Sequence, residues 1–308
     1  MSFLDVVAFL GPSAAMAMLV SASIGVALQL GQRTIERFTP AAQARLLLTT
    51  ALAPAFAAAV FFLGGLTDWL LHGPADFCLA RVHSGHASAL LVVCGLVVMS
   101  RVAIGGLRLV AEVWGSRRTI QSCRRSSTTQ HAGRVLPLAE PQAFVLGIFR
   151  PEIYLSEGLL STVHSESFEP VLAHEEAHVR RRDPLWRLIA SIGRIVHLPG
   201  VAELVGSLHA RAQEMAADAE AACRVGDRFA VAEALVRFAR LRRMESPSAF
   251  EFASSNVGAR VREVLESHSR FKGPSAALLL ASGVGLFVVA MAGGHQLHHL
   301  SEILLRLP

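Results

Sequence analysis

Charge and aromatic rings are scarce in this sequence. Charged residues make up 17% and aromatic residues 6%, with a single tyrosine, in a chain that is 52% hydrophobic. That composition excludes a disordered or fibrous chain, and a mean hydropathy of +0.45 argues against an ordinary water-soluble globule. Cysteine is equally sparse. Cys78, Cys94, Cys123 and Cys223 are far apart and form no CxxC pair, which excludes a disulfide scaffold and fits a reduced interior. A strong charge of one sign is missing too: 29 basic residues, nearly all arginine, face 24 acidic ones for a net charge of +5. So small a surplus on so apolar a chain points to an anionic membrane surface rather than to nucleic acid. The most basic segment, Gly115 to Gly133, has no aromatic or helical surface with which to read DNA, so no direct nucleic-acid partner is expected.

What the sequence does contain is apolar runs. Val6 to Gln32 carries no formal charge over about 27 residues, enough to cross a bilayer. Leu46 to Thr67 is a second uncharged run of about 22 residues, with a proline that neighbouring helices can accommodate. A third span runs from Ala87 to Val113, interrupted by Arg101, which is expected to snorkel to the interface. Ala276 to Gly294 is a fourth, about 19 residues long, followed by His295, His298 and His299. Asp5 stands where a cleavable signal would need positive charge, so the first span is expected to remain in the mature protein.

Arginine placement sets the expected orientation. Arg33, Arg37 and Arg45 follow span one and Arg117, Arg118, Arg124, Arg125 and Arg134 follow span three, whereas Arg81 alone follows span two. The positive-inside rule then puts both termini outside and the region after span three in the cytoplasm. The expected division is a membrane domain over 1–114 with three helices, a basic mobile linker over 115–134, a polar domain over 135–272, and a fourth helix with a short outer tail over 273–308. The polar domain opens with short strands at Val135 to Leu138, Ala143 to Phe149 and Ile153 to Leu155. Helices follow: one starting at Pro170 and reaching Arg182, one capped by Asp183 and reaching Val196, a long one over Val201 to Val225 stopped by Gly226, and two more over Phe229 to Arg243 and Val257 to Ser267.

The chemistry is concentrated in His174-Glu175-Glu176-Ala177-His178, an HExxH word on the Pro170 helix. A spacing of four puts both imidazoles on one helical face, able to share a zinc ion, with Glu175 beside them to act as general base on its water. A catalytic zinc needs a third ligand. Glu214 and Asp218, four apart on the otherwise apolar long helix, would be costly to bury uncompensated. We read Glu214 as the third ligand and Asp218 as the acceptor for the free ring N–H of a ligating histidine, His174 in particular, with the fourth position open. Bound zinc would lower the pKa of its water and polarise the scissile carbonyl, while Glu175 takes the proton and passes it to the leaving amine.

Other residues receive plainer readings. Glu176 is expected to pair with Arg180 one helical turn on. Arg180, Arg181 and Arg182 read as a solvated or headgroup-facing run, and Asp183 as a cap with a possible tie to those arginines. An oxyanion stabiliser should exist, with Arg211, one turn before Glu214, favoured over His209, His197 and Tyr154. The strand Ala143, Phe144, Val145, Leu146 and Gly147 offers an edge on which an extended substrate can dock, Gly147 permitting close approach. His83, His86, His295, His298 and His299 share no ligand spacing, and an outer metal or pH sensor is the minority reading for them.

On these residues the chain resembles the gluzincin metallopeptidases, and more narrowly the M56 family of membrane metallopeptidases typified by the zinc domain of the beta-lactam sensor-transducers. The similarity lies in Ala143 to Leu155, with its Phe149-Arg150-Pro151 hairpin, in Leu172 to Pro184 around the HExxH word, and in Glu214 to Asp218. The resemblance implies an α-helical integral membrane protein with four transmembrane helices and a cytoplasmic α+β zincin-like metallopeptidase domain, in a bacterial inner membrane. It also implies Zn2+ and a protein substrate, usually a DNA-bound repressor of winged-helix type in a signalling relay. No penicillin-binding domain follows span four, so beta-lactam acylation is not expected. Two alternatives share the same ligands: an M48-like peptidase that degrades damaged membrane proteins, and a non-catalytic transducer braced by zinc.

Overall fold

The structure, a computed structural model, describes residues 3–72, 85–130, 133–162, 165–245 and 250–266. Three long helices come first: α1 (Phe3–Ile35), α2 (Pro40–His72) and α3 (Gly85–Ser126). Within them Leu10–Ile35, Pro40–Gly64 and Val92–Ser126 are long and apolar enough to cross a membrane. Leu30 and Leu107 are 83% and 72% exposed, a face that water penalises and lipid does not. The fourth expected span, Ala276 to Gly294, lies outside the described residues, as do His83, His295, His298 and His299.

The described residues of the basic linker expected over 115–134 are instead mostly helix and strand. Helix α3 continues to Ser126 and is followed by β1 (Thr128–Gln130). A helix already nucleated extends at little cost through arginine and glutamine, which have good helical propensity, so a polar segment without apolar periodicity need not be coil. Arg101 also departs from its expected role: it is part-buried, and its Nε donates to the Ile195 carbonyl at 3.1 Å rather than reaching for the interface.

Strand β1 opens a four-stranded mixed sheet with β2 (Gly133–Leu136), β3 (Ala143–Leu146) and β4 (Glu152–Ser156), in the order β1-β2-β4-β3. The β2–β4 pair is parallel and the other two are antiparallel. The stretch 143–149 breaks after Leu146 because Gly147 turns the chain at φ 109°, with a Cβ position blocked by the Arg150 carbonyl. Glycine serves the turn itself there. Strand β3 is left at the sheet edge and packs against α5.

Helices α4 (Glu157–Thr162), α5 (Ser165–Arg181), α6 (Asp183–Arg194), α7 (Pro199–Val225), α8 (Arg228–Glu245) and α9 (Phe250–Leu265) complete the described fold. Pro170 does not start α5 but lies inside it. The carbonyl its ring leaves unpaired is that of Glu166, so near the helix start that one lost bond is tolerated. Between α5 and α6, Arg182 adopts the left-handed conformation (φ 55°, ψ 40°) and is itself the N-cap residue. Asp183 is therefore the first helical residue rather than the cap, and its side chain is free for another partner.

Two cores hold these elements. One joins Ala173 of α5, Ala221 and Ala222 of α7, Val231 and Ala232 of α8 and Val264 of α9. Full burial of each valine contributes about 1.5–3 kcal/mol. The other joins Leu28 of α1 and Ala44, Leu47 and Ala51 of α2 to Ala190 of α6 and Val205 and Ala212 of α7. The α6–α7 hairpin is thus packed into the same core as two of the membrane helices.

Candidate metal centre

Helix α5 carries His174, Glu175 and His178, and α7 brings Glu214 and Asp218 alongside. His174 Nε2 and His178 Nε2 are 3.1 Å apart. Glu214 completes a triangle, with Oε2 3.6 Å from His174 Nε2 and Oε1 3.6 Å from His178 Nε2. Ligands on a tetrahedral zinc with Zn–N near 2.0–2.1 Å are about 3.4 Å from one another, so this spacing suits the ion. These three residues are a group able to hold a metal.

The opposite ring nitrogens face carboxylates, through a hydrogen bond for His178 and an ion-pair approach for His174. His174 Nδ1 lies 2.8 Å from Asp218 Oδ1 and His178 Nδ1 lies 2.6 Å from Asp183 Oδ2. A carboxylate at each Nδ1 favours the tautomer protonated there, which turns both Nε2 lone pairs inward. Without a metal the 3.1 Å contact is a hydrogen bond between the two Nε2 atoms, and a metal ion would take the place of the shared proton. The donor set therefore fits zinc in both chemistry and spacing.

A ring of arginines balances the acids. Arg260 of α9 clasps Asp218 with two bonds of 2.7 Å, from Nε to Oδ2 and from Nη2 to Oδ1, and its Nη1 stands 3.5 Å from Glu214 Oε2. Arg187 of α6 donates from Nη2 to Glu214 Oε1 at 2.7 Å and from Nε to Gln213 Oε1 at 2.8 Å. Arg181 reaches Asp183 Oδ1 at 3.4 Å. Arg180 bridges Glu176 at 3.4 Å and Glu220 at 2.8 Å, and Arg224 also pairs with Glu176, so these side chains brace α5 against α7 rather than face the metal site.

Burial works against charge at this centre, and the neighbours decide each outcome. Burial pushes His174 down, but Asp218 and Glu214 overcome it and hold the metal-free imidazole up at about 9. Burial would raise Glu214, yet His174, His178 and Arg260 keep it well below the carboxylate range. Asp218 is likewise held low by Arg260 and His174 against its burial. Glu175 differs: burial raises it, and the two histidines offset that only in part. A buried carboxyl with raised affinity for protons is suited to taking one up.

The four oxyanion candidates part ways. Arg211 is on the exposed side of α7 and is not part of the His–His–Glu cluster. Tyr154 is buried in the sheet, stacked on Phe144 at 5.8 Å, with its hydroxyl donating to Glu152 Oε2 at 3.2 Å. His197 lies at the α6–α7 junction against α1 and α2. His209 is buried on α7, where burial first and Arg187 second lower it to about 4. The guanidinium groups at the centre are Arg187 and Arg260, and the sequence reading singled out neither. A signal for Arg260 exists: it shares the i, i+3, i+4, i+7 face of Val257, Val261 and Val264, where a charge needs a buried partner.

Three helices long and apolar enough to cross a membrane stand beside a His–His–Glu cluster able to hold a metal, and together with a match to a peptidase family they support a membrane metallopeptidase. Residues 116–268 match the model of Peptidase family M48, whose members are zinc-dependent. The match supports a zinc metallopeptidase family, and it falls on a neighbour of M56 and does not confirm the narrower M56 assignment expected from the sequence. No curated protein and no solved structure matches the chain.

Proposed function

We propose that this protein is a membrane zinc endopeptidase that hydrolyses a peptide bond of a protein substrate on the cytoplasmic face. The supporting observation is the inward convergence of His174 Nε2, His178 Nε2 and Glu214, each backed by its own polar partner: Asp218, Asp183 and Arg187. In this reading His174, His178 and Glu214 hold Zn2+, which when bound supplies a water of lowered pKa and a polarised scissile carbonyl. Glu175 Oε takes the water proton and returns it to the leaving amine nitrogen, a task for which its burial raises its proton affinity. Edge strand β3, packed against α5, offers main-chain groups of Ala143 to Leu146 to an extended substrate. Arg187 and Arg260 keep Glu214 ionised and oriented.

Two settings are consistent with that chemistry. Relay signalling through cleavage of a winged-helix repressor rests on the M56 resemblance, whereas the Peptidase family M48 match favours turnover of membrane proteins. Comparing newly formed protein N-termini in cells carrying wild type and Glu175→Gln tests both. Termini confined to wild type, with zinc retained in both purified proteins, identify the substrate and hence the setting. Identical termini under a range of envelope stresses, despite bound zinc, would overturn the peptidase reading in favour of a zinc-braced transducer.

A further inference from the structure

The turn between α6 and α7 lies among the membrane helices. His197 Nε2 is 3.1 Å from the Thr50 carbonyl of α2, and His197 Nδ1 is 3.1 Å from Ser21 Oγ of α1. A carbonyl can only accept, so Nε2 carries the proton, and Nδ1 accepts from the Ser21 hydroxyl. Ser21 Oγ in turn accepts from the Leu198 backbone N–H at 2.9 Å. With Arg101 of α3 donating to the Ile195 carbonyl, three membrane helices satisfy the polar groups of this one turn.

The turn is also deep. Ser21 is fourteen residues from the end of α1 at Ile35, about 21 Å along the helix, and Thr50 is ten residues from the start of α2 at Pro40, about 15 Å. With the candidate spans Leu10–Ile35 and Pro40–Gly64 entering a hydrocarbon layer about 30 Å thick at Ile35 and Pro40, the hairpin tip falls inside that layer, where unpaired backbone is not tolerated. Close packing confines it there. A Cβ on Gly193 would come within 2.5 Å of the Ala51 carbonyl, and one on Gly25 within 2.8 Å of Val201. At the other end, both arms reach the metal centre: Asp183 begins α6 and holds His178, Arg187 of α6 holds Glu214, and Glu214 itself is on α7.

We propose that His197 is a positioning residue for the metal centre: by locking the re-entrant α6–α7 tip to Ser21 and Thr50, it lets the packing of the membrane helices set where Glu214 stands relative to the two histidines. This rests on the metallopeptidase reading of the cluster. The α7 helix from Pro199 to Glu214 is about 22 Å of continuous hydrogen-bonded rod, stiff enough to carry a displacement of its tip to the ligand.

The test uses the full chain in lipid nanodiscs with Co2+ as the probe, reading its affinity and visible absorption band, together with hydrogen–deuterium exchange over 208–218. His197→Ala and Ser21→Ala should each weaken Co2+ binding about 10-fold, alter the band and speed exchange around Glu214. His197→Gln, whose amide can donate to Thr50 and accept from Ser21, should restore all three. If His197→Ala does not fold, Ser21→Ala and His197→Gln decide. Wild-type affinity, band and exchange in the alanine variants would overturn the proposal while leaving the metal site intact. If the wild type itself takes up no Co2+, the metallopeptidase reading fails, and the exchange result alone decides the link: acceleration reaching 208–218 supports it, and a change confined to the tip overturns it.

Discussion

Asp183 Oδ2 stands 2.6 Å from His178 Nδ1, on a side chain that is almost fully buried at the first residue of α6. The left-handed turn at Arg182 makes this contact possible by reversing the chain directly after the HExxH helix. Asp183 thus does for His178 what Asp218 does for His174. Replacing Asp183 by alanine should weaken zinc binding about 10- to 100-fold, measured by competition with a chromophoric chelator. An affinity equal to wild type would mean that Asp183 only braces Arg181.

Arg260 and Asp218 form the most enclosed arginine–carboxylate pair at the centre. Arg260→Ala leaves a buried carboxylate opposed only by His174, which should cost about 3–5 kcal/mol of stability and show as a large fall in melting temperature in detergent. Arg260→Lys should recover little, because a single ammonium cannot reproduce the two 2.7 Å bonds. A lysine variant as stable as wild type would contradict the bidentate account.

Metal uptake and protonation are linked at His174. Its metal-free pKa, near 9 against about 6.5 unfolded, means the proton is bound at neutral pH and must leave when a metal arrives. Zinc binding at pH 7 should therefore release about one proton from this site, and apparent affinity should rise with pH until about 9. Titration calorimetry in buffers of different ionisation enthalpy measures the proton directly. For the metal-free protein the sign is the reverse: the stabilisation from charged His174 is complete below about pH 6.5 and is lost as pH rises through about 9. A metal-free stability that is flat over that window would refute the assignment.

His209 acts at the other end of the scale. Its folded pKa of about 4 lies below the unfolded value, so the unfolded chain binds more protons between about pH 6.5 and 4 and stability should fall as pH drops through that window. His209→Gln should flatten this part of the profile in thermal melts at graded pH. An unchanged acid limb would place its origin elsewhere.

Gly193 sets how closely α6 approaches α2. Gly193→Ala would force its new methyl against the Ala51 carbonyl and should destabilise the protein by about 1–3 kcal/mol, with a lower melting temperature in detergent. Gly200, with open space at its Cβ position, is the control: Gly200→Ala should be neutral or slightly stabilising.

Much of this was legible along the chain because it depends on local periodicity. The three apolar runs, the His174–His178 spacing and the Glu214–Asp218 spacing each follow from helical geometry within a few residues. The misread parts depend on what lies far away in sequence. Arg101 has the form of a lipid-facing interruption until Ile195 is found beside it. His197 is one histidine among thirteen until α1 and α2 close around it. The helical end of α3 was hidden for a different reason: propensity without amphipathic pattern is a weak signal, and continuity with a long apolar helix decided it.

The sequence by itself determined the apolar helices and the spacing that puts His174 with His178, and Glu214 with Asp218, on one helical face each, since those are properties of a backbone with 3.6 residues per turn. Only the tertiary structure decided which carboxylate holds which histidine, that Arg187 and Arg260 rather than Arg211 meet the acids, and that the hairpin carrying Glu214 is rooted in the membrane bundle. Those choices rest on packing between elements tens to hundreds of residues apart, where burial and charge compensation select partners that local periodicity does not encode.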